Sequence, residues 1–175
     1  MKKVTGCTLL VARCSLLVAL LGSCNSNKME YVIGVGEKIH HDDFEYSVTD
    51  YIVTRFLKNG NDTLKAKGMF YLITFKVENK AMRVNHNWNN SVAYIIDGKG
   101  NVYENQKDVQ QYFEKINSFG LKETYNTMAG RSDSTILAFD LPFSVTKPYL
   151  RVRGEILMGD VFDKARFRKM MVKLF

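Results

Sequence analysis

Cysteine stops at position 24 of this 175-residue chain: Cys7, Cys14 and Cys24 are the whole set. A disulfide framework needs paired cysteines in the body of the fold, so none is available here. Proline is nearly as scarce, with only Pro142 and Pro148, which excludes a Pro-rich linker protein. No uncharged run approaches the roughly 20 apolar residues of a permanent membrane-spanning helix. The three histidines are His40, His41 and His86. Two stand in His40-His41-Asp42-Asp43, where neighbouring side chains on a strand point to opposite faces and do not converge on one ion. That tetrad reads as a polar turn, and no metal site is expected.

Catalytic patterns are equally thin. There is no Gly-x-Ser-x-Gly elbow. Gly34-Val35-Gly36 and Gly98-Lys99-Gly100 lack the spacing and following helix of a phosphate-cradling loop. No enzyme activity and no cofactor is expected. The formal charge is +7, and setting aside Lys2, Lys3 and Arg13 leaves +4. A balance that mild permits attraction to anionic surfaces without pointing to nucleic acid.

The positive features begin with the first residues. Met1-Lys2-Lys3 is a positive start, and Arg13 adds a charge that shortens the apolar run behind it. That run, Cys14-Ser15-Leu16-Leu17-Val18-Ala19-Leu20-Leu21, has signal-peptide proportions and ends in Gly22-Ser23-Cys24. An ordinary secretory signal, or a cytosolic protein with an apolar first helix, are the other readings of this segment. Leu21-Gly22-Ser23-Cys24 resembles the lipobox of bacterial lipoproteins. The resemblance implies cleavage before Cys24 and acylation of its thiol. Residues 1–23 would be the signal peptide, 24–29 a lipidated polar tether and 30–175 the domain. The partner implied is a membrane, reached through lipid on Cys24, at the outer membrane or a periplasmic face. No acidic run follows Cys24, which favours the inner leaflet.

The body reads as strands. Phe44, Tyr46 and Val48 alternate with Glu45, Ser47 and Thr49, the period of a half-buried strand. Met69, Tyr71, Ile73, Phe75 and Val77 share one face of a second, and the opposite face starts apolar and ends with Thr74 and Lys76. Lys58-Asn59-Gly60-Asn61-Asp62 is a turn between them. Val92–Ile96 and Val102-Tyr103 flank Asp97-Gly98-Lys99-Gly100-Asn101 as a hairpin. Thr135, Leu137, Phe139 and Leu141 form another inward face, closed by Pro142. Leu150 and Val152 point inward, and the tail 169–175 supplies a last strand. Val109, Tyr112, Phe113, Ile116 and Phe119 fall at helical spacing, so 107–119 is expected as one amphipathic helix, capped by Asn105 or Asp108 and stopped at Gly120. The expected fold class is all-β, a β-sandwich with one inserted helix.

Four stretches carry a more specific resemblance: 35–39 leading into 44–48, 67–79, 96–104 and 136–142. Together they are similar to a family of small exported bacterial proteins with an immunoglobulin-like sandwich, which also covers a secreted immunoprotective antigen. The resemblance spans roughly 32–155 and implies an immunoglobulin-like fold. It transfers no catalytic residue. The 107–119 segment and the tail after Gly154 depart from the family pattern.

Two functional expectations result. The first is a non-enzymatic, lipid-tethered module binding a protein or another envelope component. The alternative is a small-ligand carrier, with a pocket under 107–119 and Trp88, Tyr112 and Phe113 in contact with ligand. Trp88, the single tryptophan, stands in the polar run Asn85-His86-Asn87-Trp88-Asn89-Asn90. Lys164, Arg166, Arg168, Lys169 and Lys173 among Phe162, Phe167 and Val172 read as the solvated face of an edge strand, with contact to anionic lipid headgroups or nucleic acid as the other reading, the lipid surface being nearer for a tethered domain. Asn61-Asp62-Thr63 fits a glycosylation triplet, a pattern short enough to occur by chance.

Overall fold

In the computed structural model, residues 31–117, 120, 122–153 and 170–175 are described. The expected signal peptide and tether, Cys24 among them, and the basic residues within 164–169 lie outside them. The strands are β1 (Tyr31–Ile33), β2 (Lys38–His41), β3 (Phe44–Asn59), β4 (Asp62–Asn79), β5 (His86–Asn89), β6 (Ala93–Ile96), β7 (Val102–Tyr103), β8 (Thr124–Thr127), β9 (Ser132–Leu141), β10 (Tyr149–Val152) and β11 (Met170–Lys173). One helix, α1 (Lys107–Asn117), falls between β7 and β8.

Two sheets face each other. One runs β1-β11-β10-β6-β7 and the other β2-β3-β4-β9; a short β5-β8 pair flanks them. Only β1 and β11 pair in parallel among the described ladders. The alternation in the sequence supplies the inner faces. Val48, Ile73, Phe75, Val77, Leu137 and Phe139 of the four-stranded sheet are sealed from solvent against Ile95, Leu150 and Val172 of the other.

The opposite face of β4 explains its mixed pattern. Phe70 and Leu72 are buried with Leu57, Ala66 and Ala138 in a second apolar layer, packed against Val109, Tyr112, Phe113 and Ile116 of α1. Past the helix, Thr74 and Lys76 no longer need to be apolar. The middle of β4 is thus buried on both sides, as a central strand between two layers requires. At the far end, Gly60 takes φ +57° in the two-residue turn between Asn59 and Asp62, a left-handed conformation that glycine adopts without strain.

The expected cap is corrected. Asn105 does not cap α1. Its Oδ1 accepts from the Ala138 N–H at 2.8 Å and its Nδ2 donates to Gln110 Oε1 at 2.7 Å, tying the helix start to β9. Gln106 supplies the first helical acceptor, taking the Gln110 N–H at 3.0 Å. The described part of the helix is Lys107–Asn117, and the expected last turn with Phe119 lies outside the described residues.

On the outer face of β2–β4, register sets Glu45 directly opposite Glu78. Facing carboxylates repel. Lys38 Nζ bridges both, at 2.6 Å from Glu45 and 3.1 Å from Glu78, while Lys76 and Lys80 each sit 2.7 Å from Glu78. Hydrogen bonds from Lys76, Lys80 and Lys38 hold the Glu78 carboxyl far below the usual carboxylate range, and the Lys38 bond lowers Glu45 likewise. A carboxylate depressed in the folded state stabilises above its unfolded pKa and loses that contribution as pH falls through the folded value. The urea midpoint is therefore expected to fall between about pH 5 and about pH 2, and less steeply in Glu78→Gln. A Glu78→Gln profile superimposable on wild type would remove the cluster as the cause.

Candidate functional site

The aromatic side chains singled out by the sequence are not brought together. Trp88 belongs to the inter-sheet core and is only 7% exposed. Its indole stacks on Tyr125 with centroids 4.1 Å apart, meets Phe75 edge-on, and donates from Nε1 to Thr127 Oγ1 at 2.9 Å. Thr127 passes its own proton on to Asp133 Oδ2 at 2.7 Å. Tyr112 and Phe113 lie on the other side of the four-stranded sheet, in the layer under α1. The sheet stands between them and Trp88, so the three do not line one pocket. Desolvation, with the Asp62 carboxylate nearby, raises the Tyr112 phenol above its ordinary value.

The histidines are also dispersed. His40 Nδ1 is 3.4 Å from Glu45 Oε1 on the outer face. His86 is turned inward, stacked on Phe44 at 4.0 Å, with its Nε2 2.8 Å from the Tyr46 hydroxyl. Among the described residues, no three His, Cys, Asp or Glu side chains gather as metal ligands would. Of the basic tail, Lys173 is described, and its ammonium sits 4.4 Å from the Phe175 ring centre.

Among the described residues, a concavity lies beside α1, and the apolar face beneath the helix is packed. A cleft of about 350 Å³ opens where the N-terminal half of α1 meets the turn after β5 and the residues leading into β8. Carboxamides dominate its lining: Asn89, Asn90, Asn105, Gln110 and Gln111. Lys107, Lys122, Glu114 and Glu123 supply two charges of each sign, with Ser91 and Thr124 adding hydroxyls. Lys107 and Glu123 form an ion pair that joins two of the walls and lowers the Glu123 carboxyl.

Most of this lining is held from behind. Asn89 Oδ1 accepts from the Ser91 N–H at 2.9 Å and the Ser91 hydroxyl at 2.5 Å. Asn90 Oδ1 accepts from Thr135 Oγ1 at 3.2 Å, and its Nδ2 donates to the Lys122 carbonyl at 3.3 Å. Gln110 is the exception. It is only 4% exposed, yet its Nε2 has no hydrogen-bond partner. The orientation of that amide is fixed by its neighbours. Because Asn105 Oδ1 takes the Ala138 N–H, Asn105 must present its NH₂ to Gln110, and Gln110 must answer with its oxygen. A buried donor left unpaired costs about 1–3 kcal/mol.

No protein-family model and no curated protein matches the sequence. Solved structures do match its shape. The yjhA protein from Bacillus subtilis superposes with a TM-score of 0.55 at 12% identity, covering 81% of this chain and 98% of that one. A conserved hypothetical protein from Bacillus anthracis gives 0.52 at 12% identity, covering 67% and 87%. The secreted protein MPT63 from Mycobacterium tuberculosis gives 0.50 at 9% identity, covering 83% and 98%. The fold is a β-sandwich with one short helix. At these identities the likeness concerns the sandwich alone and assigns no site residue. The sandwich and its inserted helix are those the sequence predicts. The site residues that emerge, Gln110 and the Asn89–Ser91 turn, are ones that sequence reasoning passes over.

Proposed function

We propose that this chain is the precursor of an exported bacterial lipoprotein, and that its sandwich is a non-enzymatic module binding a component of the cell envelope through the cleft beside α1. The observation carrying the binding site is the cleft of about 350 Å³ itself, with the Asn89–Ser91 turn and Asn105 in its walls held by hydrogen bonds from behind. The carrier alternative has less support, because the apolar face of α1 is packed on Leu57, Phe70, Leu72 and Ala138.

Export rests on the lipobox-like Leu21–Cys24 and the short apolar run before it. The likeness to a secreted mycobacterial protein agrees with it. Between Cys24 and Tyr31 lie six residues, which extend at most about 25 Å. An acyl anchor on Cys24 would hold the domain close to the membrane surface, and two or more acyl chains make such anchoring stable.

Each half has its own test. Cells fed an alkyne-tagged fatty acid should label the wild-type chain and not Cys24→Ala, which should accumulate as the longer precursor. Equal labelling of both would refute the anchor. For the cleft, Gln111 is exposed on α1, so Gln111→Trp should fold normally while filling the cavity. Purified protein should co-sediment with isolated envelopes, and Gln111→Trp should reduce the bound fraction several-fold. Undiminished binding by that variant would move the interaction elsewhere.

A further inference from the structure

We propose that the arm formed by the last residues of β3 and the first of β4 carries a docking face for an anionic lipid bilayer, separate from the cleft beside α1.

The register builds this face. The arm runs beyond the flanking strands: β2 pairs with β3 only as far as Ser47, and β9 meets β4 only from Met69 onward. Within it, Phe56 lies opposite Lys65, Leu57 opposite Leu64 and Lys58 opposite Thr63. Leu57, Leu64 and Ala66 turn to the layer under α1. Alternation sends Phe56, Lys58, Lys65 and Lys67 to the opposite side, where all four are exposed. Tyr71 and Ile73 face the inter-sheet core from that same side of β4, so an inner face continues here into solvent. Phe143, just past β9, joins it through Arg55. The Arg55 guanidinium lies 5.7 Å from the Phe56 ring centre and 5.3 Å from that of Phe143. Those two rings are 43% and 62% exposed, and Val53, opposite Tyr71, extends the apolar part.

Charge identifies the kind of partner. Arg55, Lys58, Lys65 and Lys67 enter no ion pair among the described residues, whereas Lys38, Lys76 and Lys80 are matched by Glu45 and Glu78. The carboxylates bordering the arm are otherwise engaged. Asp50 accepts the Tyr51 N–H, Asp140 accepts those of Lys67 and Gly68, and Asp62 lies beside the Tyr112 phenol of α1. A face with four unanswered cations attracts a phosphate-bearing surface.

The rings favour a bilayer over a nucleic acid. Single strands are held by stacking bases on open ring faces. Here Arg55 already sits over both rings, so the patch presents a cation set between apolar groups. That pairing suits an interface where rings meet acyl chains and guanidinium meets phosphate. The proposed export of the chain favours lipid too, and the choice of lipid rests on that reading to this extent. Docked this way, the arm would fix how the domain lies on the membrane.

The test uses the full chain as the cell processes it. An environment-sensitive fluorescent amino acid replaces Phe143 or, separately, Met82. Met82 is 90% exposed past the opposite end of β4, so it reports indiscriminate apolar contact. Each protein is mixed with vesicles of phosphatidylcholine, alone or with one quarter phosphatidylglycerol. Emission from position 143 should move to the blue with the anionic vesicles only, and return as salt is raised. Emission from position 82 should not move. Lys58→Glu combined with Lys65→Glu should raise the anionic lipid needed for half of the shift at least about tenfold, with the thermal midpoint unchanged. If that variant does not fold, the salt titration without the charge reversals decides, and a shift indifferent to salt overturns the proposal. An equal shift with neutral vesicles, a shift that survives both charge reversals, or no shift with either vesicle would overturn it as well. So would a shift produced by single-stranded DNA where anionic vesicles produce none. Failure of the export reading is seen separately, in the fatty-acid labelling of Cys24→Ala.

Discussion

Trp88→Ala should lower the free energy of unfolding by roughly 3–5 kcal/mol, the range for truncating a large buried aromatic. Three contacts are lost together: the stack on Tyr125, the edge contact with Phe75 and the bond to Thr127. The Thr127 hydroxyl would still reach Asp133, so the polar chain behind the indole is shortened without leaving Asp133 alone. For a chain of this size, that loss lowers the thermal midpoint by roughly 6–20 °C. Trp88→Phe keeps a ring between Tyr125 and Phe75 and should cost far less, about 1–2 kcal/mol for the missing donor and volume. Urea melts of the two variants check the difference. A neutral Trp88→Ala would mean that the indole is not part of the core.

Gly68→Ala should be at least as damaging, for a different reason. A methyl group at Gly68 would sit 2.0 Å from the Leu141 carbonyl oxygen and 2.8 Å from Pro142 Cα. Both are backbone atoms, at the point where β9 turns away from β4. Neither moves without breaking the Met69–Leu141 end of the ladder. The same corner is pinned by Asp140, which accepts the Lys67 and Gly68 N–H groups at 2.8 and 3.0 Å. A side chain in that space should cost roughly 3 kcal/mol or more, the upper end for overpacking. Gly60→Ala is the control. It meets nothing within 4 Å and pays only the left-handed backbone strain, about 1–2 kcal/mol. Equal losses in the two variants would refute the steric argument.

The two long strands show how far periodicity carries. Tyr46 and Val48 face inward, and the alternation is plain to Thr49. A bulge between Val48 and Asp50 then shifts the parity, and Tyr51 pairs with inward Ile73. A second bulge after Thr54 shifts it again and sends Leu57 to the layer under α1. A fixed period of two cannot track a strand whose phase changes twice, so β3 continues to Asn59, well beyond the part read from alternation. The β5–β8 pair is hard to see in the sequence because its strands are four residues long and rich in asparagine and threonine. The signal is nonetheless there: His86 and Trp88, then Tyr125 and Thr127, alternate as inward positions. The cleft was not legible. Its walls come from 89–91, 105–114 and 122–124, and only the packed fold brings these segments together. Aromatic residues attract a site assignment from sequence, whereas here they build the interior.

The parallel pairing of β1 with β11 has a consequence for when the fold can be completed. Tyr31 lies beside Met170, so the first and last described strands are neighbours, and β11 separates β1 from β10 within the sheet. A chain that emerges from its amino end has β10 and β6 in hand but no route to seating β1 until Met170–Lys173 appear. Contacts so distant along the chain carry a large loop-closure penalty and make folding slow. During synthesis or translocation, the nascent chain therefore exposes the inner face of a half-built sheet to whatever surrounds it. Loss of Met170–Lys173 would remove an interior strand and leave β1 without its neighbour in the sheet.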